Sequence, residues 1–181
     1  LAVAYAFGEG VKQDFNQATG WYSRAAVQGH PVAQYSLGVS YAYGEGVDQD
    51  QKVAAEWFLK SAKAGYLKAQ VMVGSLYHTG DGLPKDYNKA AEWYRKAADQ
   101  GDAAAQYNLG GLYRAGKGVE KNVDEAVRLF ELSANQGYEA AQKELSSMER
   151  AMAGAKREKV ATSAPTPTQA PTPAPAPAPS T

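Results

Sequence analysis

Residues 31–66 read PVAQYSLGVSYAYGEGVDQDQKVAAEWFLKSAKAGY, and this stretch decides the fold. Ala33, Leu37 and Tyr41 fall at a spacing of four, with Gln34 and Gly38 beside them, which predicts a helix over 31–43. Ala54, Trp57, Phe58, Ser61 and Ala62 give the i, i+3, i+4, i+7, i+8 pattern of an amphipathic helix over 51–64. Between them lies Gly44-Glu45-Gly46-Val47-Asp48-Gln49-Asp50. Glycine adopts backbone angles that side chains forbid, so the pair marks a sharp turn, with Gly44, Gly80 and Gly116 expected at positive φ. Val47 tucks the turn against the core. Asp50 is placed to cap the second helix, Gly65 to end it, and Pro31 to open the first, where a missing N–H does no harm.

The hairpin recurs. Gly29, Gly65, Gly101 and Gly137 are each 36 residues apart. The same step joins Ala33, Ala69, Ala105 and Ala141, the glutamines at 34, 70, 106 and 142, and the tyrosines at 5, 41, 77 and 113. Trp21, Trp57 and Trp93 follow it, with Leu129 in the fourth copy. Gly38, Gly74 and Gly110 sit inside helices, where glycine costs about 1 kcal/mol relative to alanine. Close approach of Trp57 and Phe58 from the partner helix is the expected compensation. One hairpin cannot cover its own apolar faces, so neighbours must stack. The recurring tryptophans and the tyrosines at 41, 77 and 113 read as core.

These residues resemble the Sel-one-like repeat (SLR) family, relatives of the tetratricopeptide repeats. The resemblance rests on Ala33-Gln34-Tyr35-Ser36-Leu37-Gly38, Tyr41 with Gly44 and Gly46, Asp50, Ala54, Trp57-Phe58 and Lys60-Ser61-Ala62. It covers about residues 1–150. It implies an all-α fold, a right-handed α-solenoid whose first helices line a concave surface, and adaptor or scaffold duty, often in bacterial proteins. Leu1 aligns with Leu37, so the chain is expected to begin inside a repeat and to be a piece of a longer array. In the last copy Asn122 replaces Asp, and Glu149 stands where Tyr41 stood. A polar helix over 139–152 reads as a C-terminal cap, which closes the solenoid domain at 153. Residues 154–181 form a tail in which seven of the nine prolines fall between Pro165 and Pro179. It is expected to be disordered, with polyproline II character.

Composition removes several kinds of function. The 19 basic and 19 acidic residues cancel, which argues against a nucleic-acid binder. There is no cysteine, so disulfides and thiol chemistry are excluded. No apolar run approaches the ~18 residues of a membrane span. His30 and His78 are 48 residues apart, not a multiple of the period, and are not expected to meet. No Ser-x-x-Lys, Gly-x-Ser-x-Gly or His-Glu-x-x-His occurs. Gly44-Glu45-Gly46 lacks the third glycine of a dinucleotide loop, and Glu9, Glu45 and Asp81 would repel a phosphate. No metal or cofactor is expected.

The expected function is therefore a scaffold that binds a protein or peptide partner, not an enzyme. The alternative is a cell-wall-directed hydrolase or a β-lactam-binding enzyme with its site in the groove. Cysteine-rich SLR relatives have been linked to β-lactam binding, but their cysteines are absent here. The first-helix positions not needed for packing supply the candidate concave face. They are Phe7 in the first copy and Tyr35, Val39 and Tyr43 in the second. The third copy adds Lys68, Val71, Ser75 and His78, and the fourth Tyr107, Gly111 and Arg114. Lys68, His78 and Arg114 make the expected groove floor mildly basic. Such an array with a Pro/Ala/Thr tail suits a bacterial periplasmic or secreted protein. Oligomeric state is left open by the sequence.

Overall fold

The computed structural model describes residues 1–162, with side chains through Ala151. All regular structure among them is helical: α1 (Ala2–Phe7), α2 (Phe15–Val27), α3 (Pro31–Tyr43), α4 (Gln51–Lys63), α5 (Leu67–Thr79), α6 (Tyr87–Ala98), α7 (Ala103–Ala115), α8 (Val123–Asn135) and α9 (Glu139–Thr162). Leu1–Leu145 form one compact unit, and the rest of α9, from Ser146, belongs to a second. Consecutive helices pack on one another through α8, as a solenoid of hairpins requires. The helix α9 runs beyond the 152 expected and across the expected tail boundary at 154. The sequence between 151 and 161 has no proline and is dominated by Ala, Lys, Arg and Glu, strong helix formers that outweigh Gly154. The remainder of the expected tail lies outside the described residues.

Each hairpin is closed by the same devices. The side chain of Asp50 accepts hydrogen bonds from the backbone N–H groups of Lys52 and Val53 at 2.9 and 3.0 Å. Asp14, Asp86 and Asn122 cap α2, α6 and α8 in the same way. The cap residue's own N–H crosses the turn to the carbonyl of the repeat tyrosine, as in Asp50 N–H to Tyr41 O at 2.9 Å and Asp86 N–H to Tyr77 O at 2.8 Å. Every first helix ends on a left-handed glycine, with φ of 73° at Gly44, 89° at Gly80 and 65° at Gly116. The positive φ expected of these three glycines is present.

Within a hairpin, the helix-interior glycines meet an aromatic ring. A Cβ added to Gly38 would lie 2.7 Å from the Phe58 ring, and one on Gly74 would lie 2.6 Å from the Tyr94 ring. Gly110 faces Phe130 likewise. The ring that fills this space is therefore Phe58, not Trp57. Tyr94 and Phe130 are 2% and 0% exposed, whereas the tryptophans are only half-buried. That corrects the reading of Trp21, Trp57 and Trp93 as core. A helical step of 100° turns residue 57 off the face that residue 58 presents. A basic residue one turn on covers each indole instead: Arg24 on Trp21 at 4.8 Å, Lys60 on Trp57 at 3.8 Å and Lys96 on Trp93 at 4.1 Å. Tyr41, Tyr77 and Tyr113 are likewise half-buried at the edge of the core.

Between hairpins, a glutamine ladder runs the length of the solenoid. The Nε2 groups of Gln34, Gln70, Gln106 and Gln142 donate to the carbonyls of Ala26, Ala62, Ala98 and Ala134 at 3.2–3.4 Å. Each adds a second bond to a helix-end carbonyl that already accepts from the N–H of the glycine closing the turn, Gly29, Gly65, Gly101 or Gly137. The Oε1 of Gln70 accepts from Gln100, and that of Gln106 from Gln136. At the equivalent place in the second copy stands Ala64, and Gln34 Oε1 is buried without a partner among the described residues. Ala64 shares its backbone conformation with Gln136, at φ −77° against −87°. Ala64→Gln is expected to stabilise the chain by about 1 kcal/mol, read from urea denaturation. No change would mean that the Gln34 carbonyl loses nothing by its isolation.

The second glycine of each turn sets the distance between copies. A Cβ on Gly46, Gly82 or Gly118 would overlap the backbone carbonyl of Phe15, Gln51 or Tyr87, the residue that opens the previous copy's second helix. Gly10 has the same left-handed φ, 75°, but no such neighbour. Gly10→Ala should therefore cost only backbone strain, about 1–2 kcal/mol. Gly118→Ala should cost a further 1–3 kcal/mol or so, because the hairpins must separate. Equal losses in denaturant melts of the two variants would remove the claim that this contact spaces the repeats.

Candidate functional site

The first-helix candidates lie along successive junctions between helix pairs. At the first, Phe7 of α1 and Tyr35 and Val39 of α3 line one cavity of about 390 Å³ with Val3, Phe15 and Tyr22. Phe7 is 72% exposed and stands at its rim. The back wall is polar. Buried Thr19 donates to the Glu45 carbonyl at 2.7 Å, and its hydroxyl lies 3.0 Å from that of Ser40. Later copies place Ala55 and Ala91, and Leu76 and Leu112, at these positions. Burial raises the pKa of Tyr22 and of Tyr35, so both phenols are neutral hydrogen-bond donors across the physiological range.

Tyr35 is fixed on its other side. Its ring packs against Phe58 at 5.3 Å and Tyr66 at 5.4 Å. Tyr107 repeats the arrangement on Phe130 at 5.6 Å and Tyr138 at 5.4 Å. Both tyrosines thus tie the first helix of their copy to its second helix and to the tyrosine that closes it. Tyr43, another candidate, is 73% exposed. Val71 packs partly into the core, Lys68 is exposed, and Ser75 is hydrogen-bonded to Tyr94. Burial pushes the Tyr94 phenol up to about 12. A Cβ on Gly111 would meet nothing within 4 Å, so the floor is open there.

The basic character expected of the groove arises from different residues. Arg114 is paired with the Glu144 carboxylate on α9. The His78 imidazole is held below its ordinary pKa by burial, then by Lys117 and Lys85, and is neutral near neutral pH. The positive charge comes from those two lysines, which sit in turns. Their ammonium groups lie 5.0 and 5.3 Å from the centre of the Tyr87 ring. The His78 ring meets the same ring edge-on at 5.3 Å. Reading the turns as punctuation hid both lysines. The signal was present in the columns: 9, 45, 81 and 117 read Glu, Glu, Asp, Lys, and 13, 49, 85 and 121 read Gln, Gln, Lys, Lys.

Nowhere among the described residues do three His, Cys, Asp or Glu side chains converge as a metal site. No described helix is long and apolar enough to cross a membrane.

Residues 1–30, 31–66, 67–102 and 103–138 each match the Sel1 repeat. A solved structure described as a protective antigen of uropathogenic Escherichia coli with an SLR fold is 41% identical, with a TM-score of 0.79. The match covers 81% of this chain and 32% of that one. A Sel1 repeat protein from Oxalobacter formigenes is 40% identical, with a TM-score of 0.75 over 81% of this chain and 60% of that one. Cysteine rich protein B of Helicobacter pylori is 28% identical, with a TM-score of 0.56 over 75% and 98% of the two chains. The chain thus spans about a third of the first of these proteins and three fifths of the second. No curated protein matches it.

The double contacts of Tyr107 generate a stability prediction. Tyr107→Ala should destabilise the chain by roughly 1–3 kcal/mol. Tyr43→Ala should stay within about 0.5 kcal/mol. Thermal melts compare the two, and equal values would show that the ring contacts of Tyr107 add nothing to stability.

Proposed function

The chain belongs to the Sel1 repeat family, and from that premise we propose that it is a non-enzymatic scaffold that takes a peptide segment of a protein partner in its groove. Proteins built from this repeat generally mediate protein interactions. The observation that carries the reading is a separation of duties. The glycine, alanine and glutamine columns that hold the hairpins together recur in the second, third and fourth copies. The groove positions beside them change from Phe7 and Tyr43 to Thr79 and Ala115, and from Ala6 to His78 and Arg114. Packing fixes the first set and leaves the second to a partner. The 390 Å³ cavity holds an apolar side chain, with the two neutral phenols at hand to orient it.

We place the protein in the bacterial envelope or among secreted proteins. The Pro/Ala/Thr-rich sequence after 164 supports this, as does the description of the Escherichia coli relative as a protective antigen. Fractionation of the native host should find the chain outside the cytosol; a wholly cytosolic signal overturns the placement.

With a partner captured by affinity purification, Phe7→Ala and Tyr43→Ala should each weaken binding by roughly 1–3 kcal/mol. Lys60→Ala and Glu131→Ala, on the second helices, should leave it unchanged. The opposite pattern would put the binding surface on the second helices.

A further inference from the structure

We propose that Lys85 and Lys117, on either side of Tyr87 and beside His78, form a receiving site for a carboxylate side chain of a bound peptide. The inference rests on the groove reading above and gives the partner a chemical identity: an acidic segment. The niche is the same one that forms the apolar cavity two copies earlier. Ala6, Gln13, Phe15, Tyr22 and Glu45 of that cavity are replaced, 72 residues on, by His78, Lys85, Tyr87, Tyr94 and Lys117. The backbone is conserved while the lining changes from apolar with an acidic member to aromatic with two cations.

Two side chains register the same positive potential. Hydrogen bonding from Lys85, and then the charge and hydrogen bond of Lys117, lower the pKa of the Tyr87 phenol. Both ammonium groups help to lower that of His78. Neither lysine makes an ion pair among the described residues, although Lys89, one turn further along, is paired with Asp86 at 3.6 Å. Two cations that share one phenol repel each other, and an anion between them relieves the repulsion. The open floor at Gly111, where the first niche has Val39, leaves room for a peptide backbone. At the next junction the residue in the column of His78, Arg114, already holds a carboxylate, that of Glu144 on α9. The paired tyrosine and the lysine ammonium groups act as point donors, so one Asp or Glu with apolar neighbours complements the site.

The test uses the full chain and a positional-scanning library of fluorescent dodecapeptides, each sublibrary fixing one residue type at one position. Fixing Asp or Glu is expected to enrich binding over Lys or Arg by about tenfold at low salt, with the preference fading as salt rises. The double variant K85Q/K117E installs the residues that the first two copies carry in these turns, so it is expected to melt with the parent. It should abolish the acidic preference while still binding apolar peptides, and Tyr43→Ala should weaken both classes. If peptides bind without acidic preference, or if the double variant keeps that preference, the carboxylate site is overturned and the groove reading stands. If no sublibrary binds, both are overturned.

Discussion

The structure depends on how closely one hairpin can approach the next. At Gly46, Gly82 and Gly118 the backbone of one turn lies against the opening carbonyl of the previous copy's second helix, with no room for a Cβ. The same residues need a left-handed φ, so two independent constraints select glycine at one position. Once that distance is set, the rest follows. The glutamine side chains can reach the helix-end carbonyls of the previous copy, eight residues back. A longer spacing would strand these polar groups in a buried junction, which costs more than their hydrogen bonds return.

That dependence explains which parts of the fold were legible. The 36-residue period, the hairpin turns and the caps follow from residue type at fixed spacing, and the structure has them. Periodicity could not say which of two adjacent aromatics enters the core. The Trp57 column reads Trp21, Trp57, Trp93 and Leu129 and the Phe58 column Tyr22, Phe58, Tyr94 and Phe130, and both belong to an apolar pattern at helical spacing. Only the position of Gly38 on the facing helix decides it, in favour of Phe58. The indole, wide and amphipathic, ends half-buried under the stem and charge of Lys60. The length of α9 was misjudged because polar residues were read as the end of structure, when Ala, Lys, Arg and Glu are strong helix formers.

The candidate site was legible in the same partial way. First-helix spacing located Phe7, Tyr35 and Val39, and these share one cavity. It could not separate an exposed candidate such as Tyr43 from one held by aromatic neighbours, as Tyr35 and Tyr107 are through their ring contacts. Nor could it tell a cation facing solvent from one already paired, as Arg114 is by Glu144. Formal charge in a sequence is not potential at a surface; neighbours decide whether it is spent.

A repeat protein frees its turns to vary once the glycines are kept. The turn between Gly44 and Asp50 and the one between Gly116 and Asn122 share left-handed glycines and a cap-to-tyrosine hydrogen bond. Their side chains nonetheless carry opposite charge, Glu45 in one and Lys117 in the other. The turn side chains project beside the first helices, so a change of sign there alters the groove without disturbing a core contact. Along the unit, the junctions thus pass from an apolar cavity bounded by Glu45 to an aromatic niche bounded by two lysines. A chain with no net charge acquires direction in this way: under the proposed groove binding, a segment along it would meet different potentials at its two ends, which favours one orientation.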